Sequence, residues 1–215
     1  MNVNKLLQTP LSELDFSVVD VETTGMSAQF NRIMDIGIVK MRGSIIVDRW
    51  QALIDPKQDV PYWITFYTHL SNTHVKGQPS FDKFAPKILE LLSESVFVAH
   101  NVSFDYGFVE SEYKRLGVRF EAPKICTVKL GRGLLPQLSS LNLDSLSKHY
   151  NIEITDRHRA LPDAEATAIV LSKFIDVAQK DFGAKNFMDL SKLQRAYMPF
   201  SRGRRLGGFP NLFTK

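Results

Sequence analysis

FSVVDVETTG, residues 16–25, joins an apolar run to an acidic end. Phe16 to Val21 is short, apolar and rich in valine, which fits an interior β-strand better than a helix. It ends in two acids, Asp20 and Glu22, one residue apart and just ahead of a Thr-Thr-Gly turn. Successive strand side chains point to opposite faces, so these two carboxylates share one face. Two like charges that close do not both ionise cheaply, and a bound cation is the simplest compensation. The rival reading is a strand that has reached the surface with both acids solvated. The pattern alone does not choose. Asp163-Ala164-Glu165 repeats it in helical surroundings, where i and i+2 do not face each other.

Working outward, residues 32–41 and 45–54 read as two further strands joined by the tight turn Arg42-Gly43-Ser44, which makes an antiparallel meander. Residues 61–70 read as a short helix, and Lys76-Gly77-Gln78-Pro79 breaks the chain. Ser80 is placed to cap a helix running through Leu92. SVFVAH (95–100) reads as a fourth, buried strand. A helix from about Phe104 to Arg115 follows, closed by Gly117. A short fifth strand is expected over 124–128. Helical patterns cover 141–150 and 162–177, the second with Pro162 at its first position. A meander followed by strand–helix alternation implies an α/β fold, a mixed sheet with helices on its faces. Sites in such sheets gather at the carboxyl ends of central strands, where Asp20 and Glu22 lie.

Composition narrows the class. At 215 residues, 44% hydrophobic and 23% charged, the chain suits one globular domain with a substantial core and an appended tail. The lone cysteine, Cys126, excludes an internal disulfide and fits a reducing cytosol. No stretch reads as a signal peptide or a membrane span, so a cytoplasmic protein without a membrane partner is expected. Lys192, Arg195, Arg202, Arg204, Arg205 and Lys215 are the charged residues from 192 onward. Residues 1–191 therefore hold 21 basic against 23 acidic residues, a formal −2, and the net charge of +4 belongs to the tail. SRGRRLGGFPNLF reads as a basic arm that touches phosphates or as a solubilising tail.

Two more stretches carry acids. In VFVAHNVSFDYGFV, His100 and Asn101 end the fourth strand and Asp105 falls in the first turn of the next helix. An acid there gains from the helix dipole, yet it also lies at the same sheet edge as Asp20. In DRHRALPDAEATAIV, His158 precedes Asp163 by five residues across a short loop. Individually these read as a dipole acid and an exposed loop histidine. Together they make four carboxylates from three segments beside a titratable base. Two divalent cations such as Mg²⁺ or Mn²⁺ require that set, since they take oxygen ligands and keep water positions open. One cysteine and no clustered histidines argue against zinc.

D-x-E-T-T-G at 20–25, H-N-x-x-F-D at 100–105 and H-R-A-L-x-D-A at 158–164 stand in the order and spacing of the DEDDh exonucleases. Over roughly residues 14–178 the chain resembles their DnaQ-like branch, typified by the epsilon proofreading subunit of bacterial DNA polymerase III. The resemblance implies a ribonuclease H-like fold, with a five-stranded mixed sheet and helices on both faces. It implies an exonuclease domain over 1–180 and a C-terminal extension over 181–215. It also implies metal-dependent 3′–5′ hydrolysis of DNA to nucleoside 5′-monophosphates, in proofreading or repair. Exoribonuclease action on short RNA or RNA 3′ ends is the alternative, and a non-catalytic nucleic-acid-binding module the remote one.

By the same resemblance Asp20 bridges two cations, Glu22 and Asp163 complete the first, Asp105 holds the second, and His158 takes the proton of the attacking water. Thr23, Thr24 and Gly25 form the turn beside the scissile group, where backbone N–H groups meet the terminal nucleotide. Asn101 and Phe104 support the second motif, Phe104 as core or as a base-stacking surface. Two departures stand out: Thr68-His69 where many relatives have Thr-Gly, and Cys126-Thr127 where Asp-Thr is common. The expected partners are single-stranded or frayed 3′ ends of DNA, or RNA, together with a replicative polymerase or sliding clamp. LQRAYMPF (193–200) loosely resembles the glutamine-plus-hydrophobic peptides that dock on such clamps; packing back on the domain is its rival reading.

Overall fold

A computed structural model describes residues 3–195. After α1 (Val3–Gln8) and a single 3-10 turn (Leu11–Glu13), the strands β1 (Asp15–Thr23), β2 (Ile33–Arg42) and β3 (Ile45–Leu53) form the meander. Helices α2 (Tyr62–Thr68), α3 (Asn72–Val75) and α4 (Phe81–Leu92) lead into β4 (Val96–Ala99). Then come α5 (Ser103–Arg115), β5 (Lys124–Cys126), α6 (Thr127–Leu134), α7 (Leu143–Tyr150), α8 (Ala160–Phe182) and α9 (Phe187–Arg195). The sheet order is β3-β2-β1-β4-β5, with β1 antiparallel to β2 and parallel to β4. This is the five-stranded mixed sheet of the ribonuclease H-like α/β fold, and β1 is its central strand.

Alternation along β1 divides the core. Phe16 and Val18 pack with Leu171 and Phe174 of α8, whereas Val19 and Val21 pack with Ile88, Phe97 and Val109 on the opposite face. Asp20 and Glu22 continue the even series, so they point to the side of the sheet that α8 covers. A register shift between Glu22 and Thr23, after which Thr23 pairs with Ile33, makes a bulge of the kind that re-aims side chains at a sheet rim.

How closely α8 approaches depends on Gly37. It pairs with Asp20 across β1 and β2, and a Cβ on it would stand 2.5 Å from the backbone of Ala160 and Leu161. The missing side chain lets the first turn of α8 lie directly on the strand beside Asp20. Buried Asp35, also on β2, anchors that turn: its Oδ2 accepts from Arg159 Nε at 3.0 Å and from the Ala160 N–H at 3.4 Å. Gly37→Ala is therefore expected to cost about 1–3 kcal/mol through overpacking. It should also displace Asp163, which α8 carries. Denaturant unfolding checks the first effect, and an unchanged midpoint would contradict this packing.

Several boundaries differ from expectation. Pro162 is the third residue of α8, not the first; the opening N–H groups of a helix lack intrahelical acceptors, so the ring removes nothing there. The helix runs on to Phe182. The fifth strand ends at Cys126, and Thr127 already starts α6. Two glycines in TVKLGRGL depress helix propensity, but the segment is held by α9, whose Leu193 carbonyl approaches Gly133 more closely than a side chain would permit. Helix α7 begins at Leu143, capped by Asn142. Ser80 occupies the cap position of α4, yet its hydroxyl donates to Asp82 rather than holding a backbone N–H. The expected boundary at residue 180 falls inside α8, and Leu190 and Leu193 of α9 are buried in the core.

Candidate active site

The three motifs meet at the carboxyl end of β1. One carboxylate oxygen from each of Asp20, Glu22 and Asp163 lies within 4.8 Å of the other two. Asp105 reaches the same end from α5, its Oδ1 accepting from the Val21 N–H at 3.1 Å. The chain reaches α5 through Asn101, which is exposed and turns it at φ 71°. Asp163 is 3% exposed, and its two oxygens differ. Oδ2 accepts from the Arg157 guanidinium and from the His158 N–H, the latter at 3.2 Å. Oδ1 is buried without a hydrogen-bond partner among the described residues. An orphaned carboxylate oxygen beside two further carboxylates suits an oxygen-seeking divalent cation.

The electrostatics agree with that reading. Burial, followed by the charges of Asp163, Asp35 and Asp105, pushes Glu22 up to about 8. Burial raises Asp105 to about 7. Asp20 is held well above the usual carboxylate range by burial, then by Asp105, Glu22 and Asp163. Burial also raises Asp163, against the opposing charge of Arg157. These acids keep protons that the unfolded chain releases near pH 4. The folded state thus binds more protons, and stability in EDTA falls as pH rises from that range through about 8. Saturating Mg²⁺ should flatten the slope, and Mg²⁺ affinity should climb between pH 6 and 8 as Asp105 and Glu22 release protons. Thermal melts across that range check both, and a flat EDTA profile would contradict the crowding.

The other expected residues fall around this cluster. Thr23 and Thr24 are buried, and their hydroxyls build the turn: Thr23 Oγ1 donates to the Gly25 carbonyl at 2.7 Å, and Thr24 Oγ1 accepts from the Arg32 N–H at 3.0 Å. The Thr24 N–H donates to the Arg32 carbonyl at 3.0 Å, so it is not available to a nucleotide as expected. His158 is exposed at φ 67°, with its backbone tied to Asp163. Phe104 is half-buried and packs at 4.9 Å on Phe108, which favours its core role.

Both departures have a place. His69 takes the left-handed conformation, φ 58°, that closes α2 and that glycine adopts most easily. Thr127 Oγ1 lies 2.9 Å from His100 Nδ1. Burial, with Arg157 adding to it, lowers His100 to about 4, so its ring stays neutral near pH 7.

Five contributors lie outside the three motifs' expected site residues. Arg157 counters Asp163 and is itself held by Asp144, whose Oδ1 accepts from its Nε at 2.8 Å. Asp35 and Arg159 fix the start of α8. Gln58 joins the chain ahead of α2 to Thr24 Oγ1. The visible signal for Asp35 was an acid inside the apolar run IMDIGIV. Arg157 and Gln58 gave none, since polar loop residues are unremarkable.

The sequence model of the exonuclease family matches residues 17–171. The chain belongs to the DEDDh, DnaQ-like exonuclease family. A DNA polymerase III of PolC type from Clostridium perfringens is 40% identical over 157 residues, which are 73% of this chain and 11% of the relative. Its counterpart from Halalkalibacterium halodurans is 36% identical over 174 residues, 80% of this chain and 12% of the relative. The exonuclease thus spans about one eighth or less of the length of these relatives. Exonuclease X, solved with 5′ overhanging duplex DNA, superposes with a TM-score of 0.66 at 24% identity, over 84% of this chain and 99% of its own. Escherichia coli exonuclease I with a dT13 oligonucleotide gives 0.70 at 16% identity, over 80% of this chain and 43% of its own. At those identities the likeness is one of fold. Among the described residues no helix is long and apolar enough to cross a membrane.

Gln194 of the clamp-like peptide is engaged within the domain. Its Oε1 accepts from the Cys126 N–H at 3.0 Å and its Nε2 donates to the Lys124 carbonyl at 3.2 Å, which covers the edge strand β5. Residues 196–200 of that peptide, and the Gly/Arg arm, lie outside the described residues.

Proposed function

We propose that this exonuclease is a metal-dependent 3′–5′ enzyme that removes nucleoside 5′-monophosphates from single-stranded or frayed DNA ends, in proofreading or repair. The observation that carries the proposal is the meeting of Asp20, Glu22 and Asp163 within 4.8 Å around a buried, unpartnered Asp163 oxygen. Two divalent cations, Mg²⁺ or Mn²⁺, would be held by these three and Asp105, and when bound they acidify the attacking water and stabilise the leaving 3′ oxygen.

The chain's own groups do the rest. His158, exposed on the loop before α8, accepts the proton of the attacking water. The bond from its N–H to Asp163 fixes the loop against the acid cluster. Arg157 neutralises Asp163 when no cation is present, and Asp144 keeps the guanidinium beside the site. The bulged end of β1, braced by Thr24 and Arg32, forms the wall against which the terminal nucleotide rests.

The polymerase relatives favour DNA over RNA, and they favour a replicative polymerase as a partner. Matched DNA and RNA oligonucleotides incubated side by side with Mn²⁺ test the substrate. Faster shortening of the DNA strand from its 3′ end is expected. Preferential loss of RNA would make the chain an exoribonuclease, and no turnover of either would leave a binding module.

A further inference from the structure

The large exposed aromatic side chains of the described residues occupy two segments. Tyr62, Trp63, Phe66 and Tyr67 crowd onto the seven residues of α2, exposed by 86%, 48%, 68% and 60%, and Phe30 lies in the loop between β1 and β2. Positions 62 and 66, and 63 and 67, are one turn apart, so the rings form two adjacent rows on one face. The opposite face carries Ile64, buried against Met34, Val60, Leu70 and Val75. Phe66 and Tyr67 meet edge to face at 5.5 Å. An aromatic patch of this size on a helix marks an interaction site.

Its position argues for what covers it. Gln58, four residues before α2, donates to Thr24 Oγ1, and the loop bearing Phe30 returns to pair Arg32 with Thr24. Both aromatic segments are thereby tied to the turn that walls the acid cluster. The α2 sequence YWITFYT has no charged residue, so it offers flat rings and no acid to repel a phosphate backbone. Bases of any identity stack on such rings, which suits an enzyme that must advance along a strand regardless of sequence.

We propose that the aromatic face of α2 is a stacking platform for the bases of single-stranded nucleic acid immediately upstream of the scissile 3′ end. The proposal rests on the exonuclease reading above, and its test separates the two. Fluorescence anisotropy in EDTA, where cleavage is absent, reads the binding of a labelled single-stranded DNA 12-mer to the full chain. One base–ring stack is worth roughly 5- to 150-fold by alanine substitution, so Trp63→Ala with Phe66→Ala should weaken binding at least about tenfold. Trp63→Phe keeps a ring and should retain most of the affinity. An abasic strand of equal length, which has phosphates but no bases, should bind wild type weakly and the double variant equally weakly. Phe66 is mostly exposed and Trp63 about half exposed, so the melting temperature should fall little, and Trp63→Phe separates any loss of packing from loss of the ring. Equal affinity of wild type and double variant for the 12-mer overturns the platform, even where Mn²⁺-dependent cleavage by the wild type upholds the exonuclease reading. A switch from dimer to monomer in the double variant, with strand binding unchanged, would assign the face to a second copy of the chain and equally overturn it.

Discussion

Asp20→Asn is expected to abolish cleavage while leaving the protein folded, with a melting temperature in EDTA equal to or above that of the parent. The forces on this carboxylate are burial and three neighbouring acids, opposed by Arg157. Removing its charge relieves repulsion, so the metal-free fold loses nothing by the change. The loss appears when metal is added: Mg²⁺ should no longer raise the melting temperature as it does for the parent. Cation stabilisation of transition-state charge is worth several kcal/mol, which puts the rate loss at about 10³-fold or more. Asp163→Asn should be equally inactive but gain less in EDTA, because Arg157 would lose its charged partner at 163. Near-normal turnover in the Asp20 variant would remove the basis for the metal assignment.

His158→Asn separates base from ligand. Loss of a general base lowers rates by roughly 10²–10⁴-fold. Asparagine is chosen because residue 158 sits at φ 67°, a region that asparagine tolerates and alanine enters at a cost of about 1–2 kcal/mol. The bond to Asp163 comes from the backbone N–H and survives the substitution. Stabilisation by Mg²⁺ should therefore persist while activity falls. Joint collapse of Mg²⁺ stabilisation and activity would make His158 a ligand instead.

What could be read in the sequence was whatever periodicity and turn chemistry encode. The even-numbered face of β1, the meander turn at Gly43 and the first-turn positions of Asp105 and Asp163 follow from local pattern. Helix α6 did not, because its two glycines argue against helix and distant contacts with α8 and α9 help to hold it. Pro162 was misplaced by two residues, since proline is tolerated anywhere in the first turn. The acids and His158 were legible as three motifs. Their support was not: the Asp35–Arg159 pair spans 124 residues, and Arg157 becomes a counter-ion only because the loop before α8 folds it onto Asp163. Gly37 is the plainest case. Its role is to make room for a helix that arrives more than a hundred residues later, which no window around residue 37 discloses.

The most direct measurement follows a single-stranded DNA oligonucleotide that carries its label in the 3′-terminal nucleotide. With Mn²⁺ present, the label should leave first, as nucleoside 5′-monophosphate, with the remaining strand one nucleotide shorter, and EDTA should stop the release. Internal fragments that retain the 3′ nucleotide, or release that continues undiminished in EDTA, would contradict it.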